Sequence, residues 1–383
     1  MICFCKQRMH TVILFLKFFR LFNGMVVIAK LPHSEHEKTG YYHRVIAIDN
    51  ILADIPVVYA DWNSSPEEAN IAYDFTSPKK NTRIVYKVTR HWYKLVALLC
   101  IIRCRKVYFH HVASIFSIFK LIVRLPFIMS FIDFHGAAPE EHELAGLHGK
   151  VAAMIKLEQF ALTHIQHCIV VTKAMQNHLI IKYKKEKIEK KFIILPIIQS
   201  AGQLFFKERP KNGKYTVVYA GNTECWQQIP QMSKLIEKTI DVYNYKLYST
   251  NPEAMNALLP QNLLPSVHAV AIKHDALVKI YASCDFGFAL REDSIVNRVA
   301  CPTKLVEYLA YGIVPILNSP NIGDFIELGM HYVTADMLEK RMLPVEKIRR
   351  EMAEANHRVF YTLQSIYNSS RIKLQKLIIN TNC

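Results

Sequence analysis

Short, unbroken apolar runs recur along this chain, and helical periodicity fills the spaces between them. "MVVIAKL" (25–31), "IPVVYA", "KVYFHHV", "FIMSFIDFHG", "HCIVV" and "KFIILP" are all of strand length. A run without polar alternation suits a strand buried on both faces, as in a parallel sheet. Between the runs, helices are expected over about Tyr41–Leu52, up to about Leu125, within Gly146–His164, and after Thr172 as a cap. "TRIVYKVTRHWYKLVALLCIIR" reads as one further helix. Alternating strands and helices of this length make a doubly wound α/β domain.

The alternation pauses between Ile197 and Lys214, where Gly202, Pro210 and Gly213 break the periodicity. It then restarts with "YTVVYAG", "YKLYST", "VHAVAI", "DFGFAL" and "IVPIL", and a long basic helix closes the chain. At 383 residues the chain exceeds one ordinary core. The expected plan is two tandem Rossmann-like domains facing a central cleft. Its parts are an apolar basic extension (1–24), a first domain (25–197), a linker (198–214), a second domain (215–350) and a C-terminal helix (351–383) packing back on the first domain. Ligands of such domains gather beyond the carboxyl ends of the strands. That singles out His110, His111, Asp133, His135 and Gly136 in the first domain, and Gly221, Asn222, Arg291 and Lys304 in the second.

Charge narrows the partners. Forty-eight Lys and Arg against 32 Asp and Glu give +16, so an anionic partner is expected. Many cations sit inside apolar helices, as in Thr11–Phe22 and Ser114–Phe127, a pattern suited to a phospholipid surface. The first residues imitate a signal peptide, but Lys17 and Arg20 break the apolar part and no small-residue cleavage site follows. No segment offers about 18 clean apolar residues for a membrane span. The nine cysteines are scattered without paired CxxC motifs, which fits reduced thiols in a cytoplasmic protein at the inner membrane face.

"ACPTKLVEYLAYGIVPIL" (300–317) reads as a helix opening at Pro302 and stopping at Gly312. Leu305, Val306, Leu309 and Ala310 form one core stripe; Lys304, Glu307, Tyr308 and Tyr311 share the opposite side. A lysine in the first turn adds a cation where free N–H groups already make the helix end positive. Two explanations stand at this point: a solvated Lys–Glu pair, or a phosphate site at the helix mouth. "ALREDSIVNRVACPTK" adds Arg291 after a strand, which with Lys304 outlines a diphosphate clamp. "YAGNTECW" supplies Gly221, with free N–H groups expected in a close turn. "DFHGAAPEEHELAG" places His135 beside Gly136, with Glu140 to Glu143 at a helix start. Neither HExxH nor Asp-x-Asp occurs, so no metal is expected, and there is no GxGxxG.

"PTKLVEYLAYGIVPIL", with "YAGNTECWQ", "DFHGAAPEE" and "GYYHRVIAID", resembles the GT-B glycosyltransferases of the "glycosyl transferases group 1" type, most of all bacterial enzymes that build surface polysaccharides such as capsule and lipopolysaccharide. The resemblance spans Val26 to about Val333. It implies a nucleotide-sugar donor in the second domain and a glycan or lipid-linked acceptor in the first. By the match, Lys304 would contact the diphosphate, Glu307 the ribose hydroxyls, Gly221 and Asn222 the phosphate or sugar, and His135 the donor sugar, with Thr303 also in the donor site. It also implies retention at the anomeric carbon without a metal cofactor. Two departures stand out. Val299 replaces the first acid of the usual Glu-x7-Glu pair. The usual Arg/Lys pair after the first strand of the second domain is missing, leaving Arg291 to substitute electrostatically.

Three rivals predict different behaviour. A sugar-nucleotide epimerase on the same fold would need acid and base groups in the cleft. A catalytically dead scaffold would bind nucleotide without transfer. A nucleic-acid binder would need its charge in one stripe with stacking aromatics, and no nucleic-acid partner is expected.

Overall fold

The computed structural model describes residues 24–31, 40–61, 83–87, 91–184, 191–198, 202–204, 213–272 and 274–379. The expected extension, including Thr11–Phe22, lies outside the described residues, as does most of the expected linker.

The first sheet contains β1 (Met25–Ala29), β2 (Val57–Asp61), β3 (Arg83–Lys87), β4 (Lys106–Phe109), β5 (Met129–Phe134), β6 (His167–Val170) and β7 (Phe192–Ile194). Its seven strands run in the order β3-β2-β1-β4-β5-β6-β7, and every pairing is parallel. The second sheet contains β8 (Thr216–Ala220), β9 (Asn244–Tyr248), β10 (Ala269–Val270), β11 (Phe286–Phe288), β12 (Val314–Leu317) and β13 (Val333–Thr334). Its six strands are also parallel, in the order β10-β9-β8-β11-β12-β13. The apolar runs are parallel strands for the expected reason: β1 and β2 are buried at every position. Period-2 alternation divides β1 between two cores. Val26 and Ile28 pack with the helices His91–Cys104 and His148–His164, while Val27 and Ala29 pack with the helix Gly40–Ile51.

One expected element is wrong. "TRIVYKVTRHWYKLVALLCIIR" is not a single helix: Arg83–Lys87 is strand β3, paired with β2, and the helix begins at His91. Ile84, Val85 and Tyr86 are β-branched or aromatic, and an open edge beside β2 outweighs the apolar continuity that suggested a helix. Likewise the helix expected up to Leu125 covers only Ser117–Ile122, preceded by a 3-10 turn at Val112–Ser114.

The two halves meet at a bonded seam. The Thr172 hydroxyl donates to the Val299 carbonyl at 2.7 Å, and the Lys173 and Ala174 amides donate to Asp324 at 2.6 and 2.8 Å. Asp324 thus satisfies amides at the start of the helix Lys173–Tyr183 from the opposite domain. Val299 is buried there in the shared apolar cluster. The helix Glu346–Ile379 spans both halves: Ala353 joins the second core, Phe360 and Leu363 the seam, and Leu374 and Ile378 the far core of the first sheet. Near its end, Gln375 donates to the Ile51 carbonyl at 2.9 Å.

Candidate active site

Four strand-to-helix connections, after β4, β5, β8 and β11, bring the candidate residues to the carboxyl ends of the two sheets. In the second domain the helix Thr303–Tyr311 opens after Pro302 and ends at Gly312, whose φ of 73° is the left-handed stop that glycine favours. From Lys304 to Tyr311 every residue of this helix is buried, so the expected polar side does not exist as a surface. Tyr308 and Tyr311 belong to the core, with the Tyr308 ring lying where a side chain on Gly287 would stand.

Lys304 points back beneath the loop after β8. Its ammonium donates to the Gln227 side-chain oxygen at 2.6 Å and sits 3.9 Å from the centre of the Tyr219 ring. Burial pushes this ammonium well below the usual lysine range, the Arg291 charge adds to that, and Glu307 pulls partly against it. Among the described residues it forms no ion pair. Arg291 is equally enclosed: Nη1 donates to Asn297 at 2.7 Å, while Nε is buried without a partner. Burial brings its guanidinium down to about 10. Two buried cations therefore lie within electrostatic reach of each other, and neither forms an ion pair among the described residues.

Gly221 serves the site differently from expectation. Its N–H is not free; it donates to the Tyr248 carbonyl at 3.0 Å. A Cβ at this position would stand 2.8 Å from the Lys304 ammonium and 2.9 Å from the Tyr219 hydroxyl, so glycine makes room for the cation. Asn222 is exposed, and its carbonyl accepts from the Tyr219 hydroxyl at 2.6 Å. Thr303 is half-buried at the helix start. Glu307 accepts from Tyr281 at 2.9 Å and lies 3.6 Å from the His274 ring. Burial raises the Glu307 pKa against the pull of His274, Tyr281 and Lys304.

In the first domain His135 follows β5 and packs against His110, His111 and Tyr41, with ring centres 4.9, 5.8 and 5.4 Å away. Its Nδ1 is buried without a hydrogen bond, 3.9 Å from Asp133. Burial brings the His135 and His111 imidazoles down to about 3 and His110 down to about 4, so all three are neutral near pH 7. Asp133 itself is a strut. Arg44 grips it at 2.8 and 3.1 Å and Tyr108 donates to it at 2.6 Å, with both members of the ion pair fully buried. Glu141 folds back so that its carboxyl covers Gly136. Burial pushes it up to about 7, and Arg291 of the second domain acts on it across the gap.

Two parallel Rossmann-like domains with polar loops at the carboxyl ends of both sheets define the architecture. The chain has the GT-B fold. It is similar in structure to a sucrose-phosphate synthase from Thermosynechococcus elongatus, with 12% identity, a TM-score of 0.63, and coverage of 92% of this chain and 98% of that one. HepE from Anabaena, solved in complex with UDP-glucose, gives 12% identity and a TM-score of 0.61 over 92% of this chain and 99% of that one. TarM gives 10% identity and a TM-score of 0.61 over 94% of this chain and 99% of that one. No protein-family profile matches the sequence, and no curated protein does. Within this GT-B frame, the candidate residues at the second sheet are joined by Tyr219, Gln227, Tyr281 and His274, none of which had been singled out. Gln227 ends a single 3-10 turn, Cys225–Gln227, too short for any periodicity, so its approach to Lys304, 77 positions later, left no signal in the sequence.

Proposed function

We propose that this GT-B chain is a glycosyltransferase that moves a sugar from a nucleoside-diphosphate donor to a hydroxyl of a glycan or lipid-linked acceptor. What supports the reading most is the pair of buried, unpaired cations, Lys304 and Arg291, at the loops of the second domain. Buried charge without a counter-ion is costly unless a ligand supplies one. A pyrophosphate is the anion that two such cations suit. HepE, a structural neighbour, was solved with UDP-glucose.

In the proposed reaction the anomeric C–O bond breaks and its electrons pass to the leaving phosphate oxygen. Lys304 and Arg291 stabilise that growing charge, which lowers the barrier only in so far as they bind the leaving group more strongly than the donor. His135, held neutral, would offer its ring to a sugar hydroxyl instead of repelling the oxocarbenium-like centre with a positive charge. We propose retention of configuration, with the leaving diphosphate taking the proton of the acceptor hydroxyl and no metal cofactor. Glu307 would receive the ribose hydroxyls, and Gly221, Asn222 and Thr303 would line the diphosphate. Assembly of a surface polysaccharide is the proposed setting.

A thermal-shift panel of nucleoside diphosphates and their sugar conjugates, followed by transfer assays with the best binder, tests this. A nucleoside diphosphate should raise the melting temperature and its sugar conjugate should donate. Failure of every member of the panel to bind would remove the proposal. Glu141, a carboxyl titrating near neutrality beside the gap, favours one second reading, a sugar-nucleotide epimerase; epimerised nucleotide sugar formed without acceptor would select it.

A further inference from the structure

Three helices lie side by side on one face of the first sheet: His91–Cys104, Ser117–Ile122 and His148–His164. Cys100, Phe119 and Leu162 point from them into a common core. Cations tie them together outside it. The Lys94 ammonium lies 5.2 Å from the centre of the Phe116 ring, and Lys120 and Arg124 lie 5.3 and 5.5 Å from that of Phe160.

Their outer side is apolar where a solvated face should be polar. Leu95, Leu99 and Ile102 follow at i, i+4 and i+7, so they form one stripe, and Leu99 is 48% exposed. On the second helix Leu121 is 68% exposed, and just beyond it Phe127 is 50% exposed. Single exposed leucines need no explanation; a stripe continued onto a neighbouring helix does.

The charge on this face is one-sided. The three helices and the residues just after the second carry Lys94, Arg103, Lys120, Arg124, Lys150 and Lys156. On the three helices the one acid is Glu158, which is buried and held by Lys182 at 2.9 Å and Tyr183 at 2.6 Å. The three helices therefore present cations but no exposed acid. A nucleic acid would use the cations but leave the leucines and Phe127 in water. A phospholipid surface uses both, with phosphates over the cations and the acyl boundary receiving the apolar groups.

We propose that this face docks on an anionic phospholipid bilayer. The contact proposed for this face is peripheral, and among the described residues no helix is long and apolar enough to cross a membrane. It adds the stripe of His91–Cys104 to the Ser114–Phe127 segment that the sequence had suggested. Docking leaves the candidate active site open. Met129 donates to the Arg105 carbonyl at 2.8 Å where β4 and β5 begin, so the Leu125–Phe127 tip lies at the opposite strand ends from His110 and His135. The proposal stands apart from sugar transfer, because it concerns a different surface.

Flotation of the full chain with phosphatidylglycerol-containing vesicles, against pure phosphatidylcholine, tests it. The wild type should float with the anionic vesicles only, and high salt should release it. Leu121→Glu/Phe127→Glu should reduce flotation by at least about tenfold while its melting temperature and nucleoside-diphosphate binding stay unchanged. Arg124→Glu should reduce it by roughly fivefold or more. The proposal falls if the wild type ignores anionic vesicles, if it binds both vesicle types alike, or if the double variant floats normally. It falls equally if the double variant turns a wild-type dimer into a monomer, or abolishes an RNA gel shift instead of vesicle binding.

Discussion

The Lys304 ammonium is held 2.6 Å from the Gln227 amide oxygen, with the Tyr219 ring at 3.9 Å and no carboxylate paired to it among the described residues. A neutral amide and a ring face are poor substitutes for water around a primary ammonium, and the depressed pKa records that deficit. Stability and ligand binding therefore pull in opposite directions at this residue. Lys304→Met keeps the length and removes the charge. It should raise the melting temperature, since an uncompensated buried cation is gone. Nucleoside-diphosphate affinity should fall by about 2–3 kcal/mol, the size of a charge-assisted hydrogen bond. Thermal melts and calorimetric titration read both; a variant that melts lower and binds as well as the wild type contradicts the diphosphate role.

Gly221→Ala probes the same cation from the loop side. The new methyl would meet the Lys304 ammonium at 2.8 Å and the Tyr219 hydroxyl at 2.9 Å. The end of a lysine can move, so unfolding free energy should change by less than about 1 kcal/mol. The displaced ammonium should bind diphosphate about tenfold more weakly. Unchanged affinity with normal folding would show that the position of Nζ does not matter.

Much of this arrangement could be read from the sequence because parallel sheets buried on both faces leave a strong mark: short, unbroken apolar runs set apart by helical periods. β3 escaped because Arg83–Lys87 is an edge strand with a cation at each end, followed closely by an apolar helix. The Lys304 helix was legible in its ends, Pro302 and Gly312, but not in its burial. Tyr308 and Tyr311 mimic a polar side in sequence, whereas both are core residues covered by the shared apolar cluster. Gly221 was legible as the glycine that ends β8, but its amide was misread as free. Its amide continues the β8–β9 pairing, and what the site needs from it is the missing Cβ. Gln227 and Tyr219 depend on distances between loops that no local pattern encodes.

The histidine cluster predicts acid sensitivity. Burial holds His110, His111 and His135 at about 4, 3 and 3, against 6.5 for the free group, so the unfolded chain binds more protons than the native one over that interval. The contribution of the histidines to native stability should therefore be complete above pH 6.5 and fall as pH drops towards 4. Glu141 acts oppositely: raised to about 7, it stabilises the fold most below its ordinary value and loses that contribution as pH rises through neutrality. Three imidazoles outweigh one carboxyl, so denaturant midpoints should decline between pH 6.5 and 4. His135→Gln should flatten the decline by on the order of 1–2 kcal/mol. An equally steep profile in the variant would mean that His135 titrates normally.

Asp133 and His135 sit two positions apart, yet the structure gives them different tasks, and their variants should fail differently. Asp133 accepts from Arg44 twice and from Tyr108 once in a fully buried setting, and Arg44 also donates to the Leu195 carbonyl at 2.9 Å. This network bolts the helix Gly40–Ile51 to β5 and to the segment after β7. Asp133→Asn removes the charge that neutralises Arg44 and should cost about 3–5 kcal/mol, the penalty of leaving one member of a buried pair unpaired. Arg44→Met/Asp133→Leu, which removes both charges, should recover a good part of that loss. His135→Ala leaves the network intact and should fold normally while transfer fails. Chemical denaturation of all three proteins separates the cases. An Asp133→Asn protein of wild-type stability would show that the Arg44 charge finds its partner elsewhere.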